Sequence, residues 1–303
     1  MTEAAASDIV NALTIDVEEY FHVTNLQGVV RRRDWEELAS SVVPCTERIL
    51  ELLCAARARA TFFVLGWVAE RHRDLVRAIH AQGHEVACHG YNHRRVDGMD
   101  PASFRADLLR ARDILEDICG EPVIGYRAPS WSVTAESPWV FEELARAGFR
   151  YDSSVMPVKC GRAPRFPHLI RANGSAIAEF PVTTLKLFGL GLPVAGGGYF
   201  RLYPYPLTRF ALRQVNRQEG RPFVFYLHPW ELDPHQPRPG KVPPFKAFRH
   251  YVNLARTERR FRRLLRDFRF DTVRHVLEFG QSRIQPKPLT PGQEPLRLAA
   301  AQG

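Results

Sequence analysis

Four short stretches of this chain hold residue types that can do metal and proton-transfer chemistry. The first is Leu13-Thr-Ile-Asp-Val-Glu-Glu-Tyr-Phe-His22, an apolar run that ends in acids. A carboxylate there is costly to bury unless it is paired or bound to a metal. If the run is a strand, Asp16 and Glu18 share one face and Glu19 points away; a solvated loop is the competing account. The second is Gly83-His-Glu-Val-Ala-Cys-His-Gly-Tyr-Asn-His93. His89 and His93 are four apart, so one helical turn would bring both imidazoles to one side, as zinc or a similar divalent ion requires. His84 reads as structural and Cys88 as core. The third is Gly125-Tyr-Arg-Ala-Pro-Ser-Trp131. Arg127, at a strand end and followed by a proline, is placed to hold a carboxylate, unless it is an ordinary surface arginine. The fourth is Phe223-Val-Phe-Tyr-Leu-His-Pro-Trp230. His228 directly after an apolar strand can give or take a proton near neutral pH, with a satisfied structural histidine as the alternative.

These residues need a scaffold, and the rest of the pattern supplies one. Strand-like pieces fall at Ala12–Val17, Ala60–Leu65, His84–Cys88, Val123–Arg127, Phe149–Asp152, Ala176–Val182 and Pro222–His228. Helical periodicity predicts Thr46–Arg57, Val68–Ala81, Ala102–Ile118, Pro138–Ala147, Leu207–Gln218 and a last long helix over Phe245–Phe268. About seven β-α units predict a parallel sheet, open or closed into a barrel. The connection Met156–Ala176 reads as a surface excursion. Residues 282–303 read as a disordered tail, polar and rich in proline.

The chain has 303 residues, 45% hydrophobic and 25% charged, enough for a sizeable core and unlike a disordered or disulfide-framework protein. Lys+Arg is 42 against Asp+Glu 33, a net +9, and only five of the basic residues are lysines. The five cysteines form no CxxC, which predicts reduced, mostly buried thiols. No secretory signal or apolar span long enough for a membrane is read, so a cytoplasmic location is expected. Gly196-Gly-Gly-Tyr-Phe-Arg201 lacks the lysine of a phosphate loop; a close approach of its backbone to substrate is the reading kept for it.

Taken together and in this order, the four clusters resemble the polysaccharide deacetylase family, the carbohydrate esterases built on the NodB-type domain. The likeness runs over about residues 10–280. Thr14-Ile-Asp-Val-Glu-Glu-Tyr-Phe-His, Arg127-Ala-Pro-Ser-Trp and Leu227-His-Pro-Trp look like a subgroup encoded in bacterial exopolysaccharide loci associated with exosortase/PEP-CTERM sorting. The resemblance implies an α/β fold, an incomplete (β/α)7 barrel, with one catalytic domain over 8–281. It implies a divalent metal, zinc first, with cobalt or another divalent ion as alternatives. The roles it implies are Asp16 as general base, Glu18, His89 and His93 as metal ligands, Arg127 orienting the base, and His228 as general acid. The family's two acids are adjacent whereas Val17 separates these, so Asp16 or Glu19 stays open as the ligand. Asp152 is the candidate for the acid that tunes His228. Tyr20, Trp131 and Trp230 are candidate substrate contacts, with lid packing as the other account; His22, on the Asp16 face if the strand persists, is a candidate substrate contact or else structural.

The activity implied is hydrolysis of N-acetyl groups on amino sugars of an exopolysaccharide or its precursor. The partner expected is thus an N-acetylated polysaccharide or lipid-linked oligosaccharide. A small-molecule amidohydrolase on the same scaffold and a non-catalytic carbohydrate-binding or assembly protein are the alternatives. Nucleic-acid binding is not expected: the arginines of Arg256–Arg269 alternate with apolar residues as on a solvated helix.

Overall fold

The computed structural model describes residues 9–158, 163–172, 174–187 and 190–281. Its centre is a nine-stranded sheet. In chain order the strands are β1 (Val10–Val17), β2 (Thr61–Val64), β3 (Glu85–Cys88), β4 (Gly125–Tyr126), β5 (Tyr151–Asp152), β6 (His168–Ala172) and β7 (Ser175–Glu179). A separate hairpin, β8 (Thr184–Leu187) and β9 (Leu190–Pro193), precedes β10 (Val224–Leu227) and β11 (Arg269–Asp271). The sheet runs β10-β1-β2-β3-β4-β5-β7-β6, with β11 also on β1. All pairs are parallel except β6 with β7. β10 and β6 lie at its two ends, so the barrel is incomplete.

The alternation that defines strands sorts the core into two faces. Leu13, Ile15, Phe62, Val64, Phe225 and Leu227 pack outward under the helices. Ala12, Phe63, Ala87, Tyr151 and Val224 fill the barrel instead. The helices are α1 (Val42–Ala56), α2 (Gly66–Arg71), α3 (Arg73–Ala81), α4 (Pro101–Cys119), α5 (Trp139–Arg146), α6 (Gly197–Leu202), α7 (Tyr205–Arg217), α8 (Pro244–Tyr251), α9 (Thr257–Asp267) and α10 (Val273–Gln281). α4 shows how the sequence sets an end. Asp100 accepts from the N–H groups of Ala102 and Ser103, Pro101 takes the first turn, and Gly120 (φ 72°) stops the helix. α10 plugs the barrel floor: Val273 and Leu277 join the interior cluster, and Val273 N–H donates to Thr61 Oγ1 at 2.8 Å.

The register carries the site. Val17 lies beside Val64, Val64 beside Cys88, and Cys88 beside Tyr126. Glu18, His89, Arg127 and His228 therefore each follow the last residue of a strand, β1, β3, β4 and β10, at the carboxyl end of the sheet. That is where α/β sheets form their sites.

Several expectations change. Val68–Ala81 is two helices, broken at His72 (φ −125°, ψ 54°) and starting earlier, at Gly66. The helix expected over Phe245–Phe268 breaks at Asn253, whose left-handed φ of 54° turns the chain between α8 and α9. The turn delivers the carbonyls of Arg249, His250 and Val252 to the buried Arg201. Met156–Ala176 is not wholly an excursion, because β6 within it pairs with β7. The expected tail at 282–303 and Cys160 lie outside the described residues.

Candidate active and metal site

Three buried side chains converge at the carboxyl end of the sheet. Glu18 Oε2 lies 2.6 Å from His93 Nε2 and 3.9 Å from His89 Nε2. One ligand atom from each residue falls within 4.8 Å of the others. Despite the 2.6 Å approach, Glu18 Oε2 is buried without an aligned hydrogen bond. A carboxylate oxygen facing two imidazoles without such a bond is a donor set that could hold a divalent metal. His89 Nδ1 sits 2.8 Å from the Arg127 carbonyl, which fixes the ring and leaves Nε2 to face the cluster. Burial, with His93 adding to it, pushes His89 down to about 4, so it is neutral at pH 7. Burial would raise Glu18, but His93, His228 and His89 hold it far below the usual carboxylate range. Its other oxygen accepts from Trp230 Nε1 at 3.3 Å.

The histidine pair is not helical, as the four-residue spacing predicted. Gly90 (φ 73°) and His93 (φ 50°) bend the chain through left-handed positions, and this loop brings the rings together. Glu19 is engaged elsewhere. It accepts from Ser40 Oγ and from the N–H groups of Ser41 (3.1 Å) and Val42 (3.2 Å) at the start of α1. An acid at a helix N-terminus is well placed there, and this removes Glu19 from the cluster.

Asp16 stands beside the trio. Its Oδ1 accepts from Arg127 Nη1 at 2.7 Å, and its Oδ2 lies 3.9 Å from His228 Nε2. Arg127 is fully buried yet well satisfied. It also donates to Thr14 Oγ1 (2.7 Å), the Ser153 carbonyl (3.1 Å) and Ser153 Oγ (2.9 Å), between the Phe63 and Trp131 rings. Ser130 and Trp131 both have positive φ (58° and 54°), a strained turn of the kind that clusters at functional sites.

His228 is 18% exposed, and its Nε2 faces Glu18 Oε1 at 3.7 Å as well as Asp16. Nδ1 is 2.7 Å from Glu231 Oε1. Burial pushes this histidine down, but the Glu231 bond and the charges of Glu18, Glu231 and Asp16 outweigh it and raise it to about 9. Glu231 in turn accepts from Arg201 Nε at 2.5 Å, and both are buried. The acid beside His228 is thus Glu231, not Asp152. Asp152 pairs with Glu179 and accepts from Ser154 Oγ at 2.5 Å, which in turn receives the Ala128 N–H at 2.7 Å. It anchors the loop after Arg127. Glu231 carries a legible signal that went unused: it stands three residues after His228, the spacing of a capping box.

Four other expected contacts divide. Trp131 is partly exposed over Arg127. Tyr20 is buried. His22 is buried among Phe21, Trp35, Trp67 and His93 and accepts from Glu19 N–H at 3.1 Å. Trp230 is stacked between His228 and His250. These last three have no face left for a sugar. The glycines of 196–198 also serve another end: a Cβ on Gly196 would lie 2.0 Å from the Tyr226 carbonyl, so the backbone approaches β10, not a ligand.

Residues 39–151 match the polysaccharide deacetylase family, and residues 153–278 match a domain of unknown function, DUF3473. A peptidoglycan deacetylase of Helicobacter pylori is 33% identical over 109 residues, 36% of this chain and 36% of that protein. A chitooligosaccharide deacetylase of Rhizobium leguminosarum bv. trifolii is 32% identical over 121 residues, 40% and 52% of the two chains. The matches thus span about half or less of these relatives' length. The fold is shared with a Mycobacterium smegmatis crystal structure assigned to polysaccharide deacetylases, with TM-score 0.62, 22% identity and 93% and 94% of the two chains covered. The deacetylase match holds His89, His93 and Arg127; Asp16 and Glu18 precede it and His228 follows it. One sheet joins these parts, since β7, β10 and β11 complete it.

Proposed function

We propose that this protein is a metal-dependent hydrolase that removes N-acetyl groups from amino sugars of an exopolysaccharide or its lipid-linked precursor. The observation that carries the proposal is the placing of Glu18, His89 and His93 within reach of two proton-handling groups, Asp16 and His228. A divalent ion held by the trio, zinc by its donor set, supplies a Lewis acid for the acetyl carbonyl and a water of lowered pKa. Asp16, held by Arg127, takes the proton of the attacking water. His228 enters as the imidazolium that Glu231 favours and hands its Nε2 proton to the departing amine, and Nδ1 stays on Glu231. Arg127 fixes Asp16 by a fork that a lysine does not reproduce. The free thiols Cys45, Cys54, Cys88 and Cys119 favour a reducing compartment, the cytoplasm, which cell fractionation tests.

Acetate release from N-acetylated chitooligosaccharides tests the proposal, in protein stripped of metal and then reloaded with zinc or cobalt. Release should need metal and disappear in Asp16→Asn and His89→Ala. Acetate freed equally by the stripped protein, or by either variant, would sink the mechanism.

A further inference from the structure

We propose that the face built by α6, α7 and α8 docks on the surface of a membrane carrying anionic lipids. Eight large apolar side chains are exposed among the described residues, and five of them are on these helices: Leu202, Leu207, Phe210, Phe245 and Phe248. Phe245 is 70% and Phe248 54% exposed, three residues apart on α8 and so on one side of it. α7 turns Thr208, Ala211, Leu212 and Val215 inward and leaves Leu207, Phe210 and Arg217 outside. α6 packs against α8 and leads into α7 after two residues, and exposed apolar side chains gathered on neighbouring helices mark an interaction site.

The charges say which kind. Residues 197–217 and 234–257 contain no aspartate or glutamate. On α8, Lys246 and Arg249 alternate with the phenylalanines, and both are exposed. An aromatic face flanked by lysine and arginine is the pattern of an interfacial helix, whose rings enter the acyl boundary while its cations meet lipid phosphates. A second copy of this chain fits less well. A two-fold contact would set Lys246 and Arg249 against themselves, with no acid on these helices to pair with. A soluble polyanion accounts for the cations but leaves Phe245 and Leu207 in water.

The face is also tied to the site. Arg201 of α6 donates to three carbonyls at the end of α8 while holding Glu231. His250 of α8 stacks on Trp230, which stacks on His228. Phe245 and Phe248 are on the exposed side of α8 and His250 on its buried side, so α8 and Trp230 link the membrane face to His228, which suits a substrate carried on a lipid.

Flotation with vesicles tests this without any turnover, so it stands or falls apart from the deacetylase reading. The full chain should float with phosphatidylcholine–phosphatidylglycerol vesicles and not with phosphatidylcholine alone, and high salt should release it. Phe245→Ser with Phe248→Ser should weaken partitioning by about tenfold per ring. Lys246→Glu with Arg249→Glu should weaken it by at least about fivefold per site. Circular dichroism should show both double variants folded. Failure of the folded chain to float with anionic vesicles overturns the proposal, as does equal flotation of both variants. A dimer in sedimentation that the same substitutions dissolve would give the face to a second copy, and RNA binding that they abolish would give it to a nucleic acid.

Discussion

Replacing Glu231 by glutamine separates a proton donor held ready from a histidine that merely lines the cleft. His228 is raised to about 9, some 2.5 pH units above its ordinary 6.5. At about 1.4 kcal/mol per unit, this is on the order of 3 kcal/mol of preference for the imidazolium in the fold. Glutamine keeps the length and an acceptor for Arg201 but removes the charge 2.7 Å from Nδ1. Glu18 and Asp16 remain, so a fall of roughly 1 to 2 pH units is expected. The assay is an NMR titration of the His228 ring in metal-free protein, where only the charges of this chain act. The alkaline limb of kcat for acetate release should move the same way. Stability gives a second reading with a fixed sign. A histidine raised in the fold contributes stability that is complete below 6.5 and is lost as pH rises through about 9. Glu231→Gln should therefore cost most near pH 6 and progressively less toward pH 10, on top of a constant loss from Arg201. A folded variant whose His228 midpoint stays put would refute the assignment of Glu231.

Arg127→Met should cost about 3–5 kcal/mol in urea unfolding, because it leaves the Asp16 carboxylate buried without its partner. Arg127→Lys should not restore kcat, since one ammonium cannot serve Asp16, Thr14 and Ser153 together. Burial and the neighbouring Asp152 hold Glu179 well above the usual carboxylate range. Its folded-state contribution is complete below about 4.5 and lost as pH rises above it, so Glu179→Gln should gain stability relative to the parent as pH increases, read by melting across pH. Gly196→Ala should lower Tm by several degrees, because φ is 116° and the new Cβ would press on the Tyr226 carbonyl.

Much of the site was legible because strands obey a strict period. Asp16 is on β1 and Glu18 follows its last residue, two positions on, and the ends of apolar runs located His89, Arg127 and His228. The histidine pair was found for a reason the chain does not use, since glycine at 90 makes a loop where spacing suggested a helix. The candidate acid, Asp152, ends another strand, whereas Glu231 comes from the same turn as His228. Arg201 had no local signal at all: its role depends on the chain turning after α8 at Asn253, a left-handed position that periodicity does not register. Aromatic residues near a strand end were read as sugar contacts, yet Tyr20 and Trp230 were needed for packing. β6, β8, β9 and β11 escaped because short edge strands and hairpins carry little pattern of their own.

The sequence distances inside the site have a consequence for how the chain assembles. Glu18, His89 and His93 all come from the first third of the chain, whereas Asp16 and His228 are 212 residues apart. Their strands, β1 and β10, are nonetheless hydrogen-bonded neighbours. During synthesis all three residues of the candidate ion-binding cluster therefore emerge long before His228, and the β1–β10 pairing, closing so long a loop, forms late. A chain ending near residue 151, where the deacetylase match stops, would carry the proposed metal ligands and the proposed base but not His228. Such a fragment also lacks both β10 and β11 beside β1 and should release no acetate, so hydrolysis waits on β10 entering the sheet.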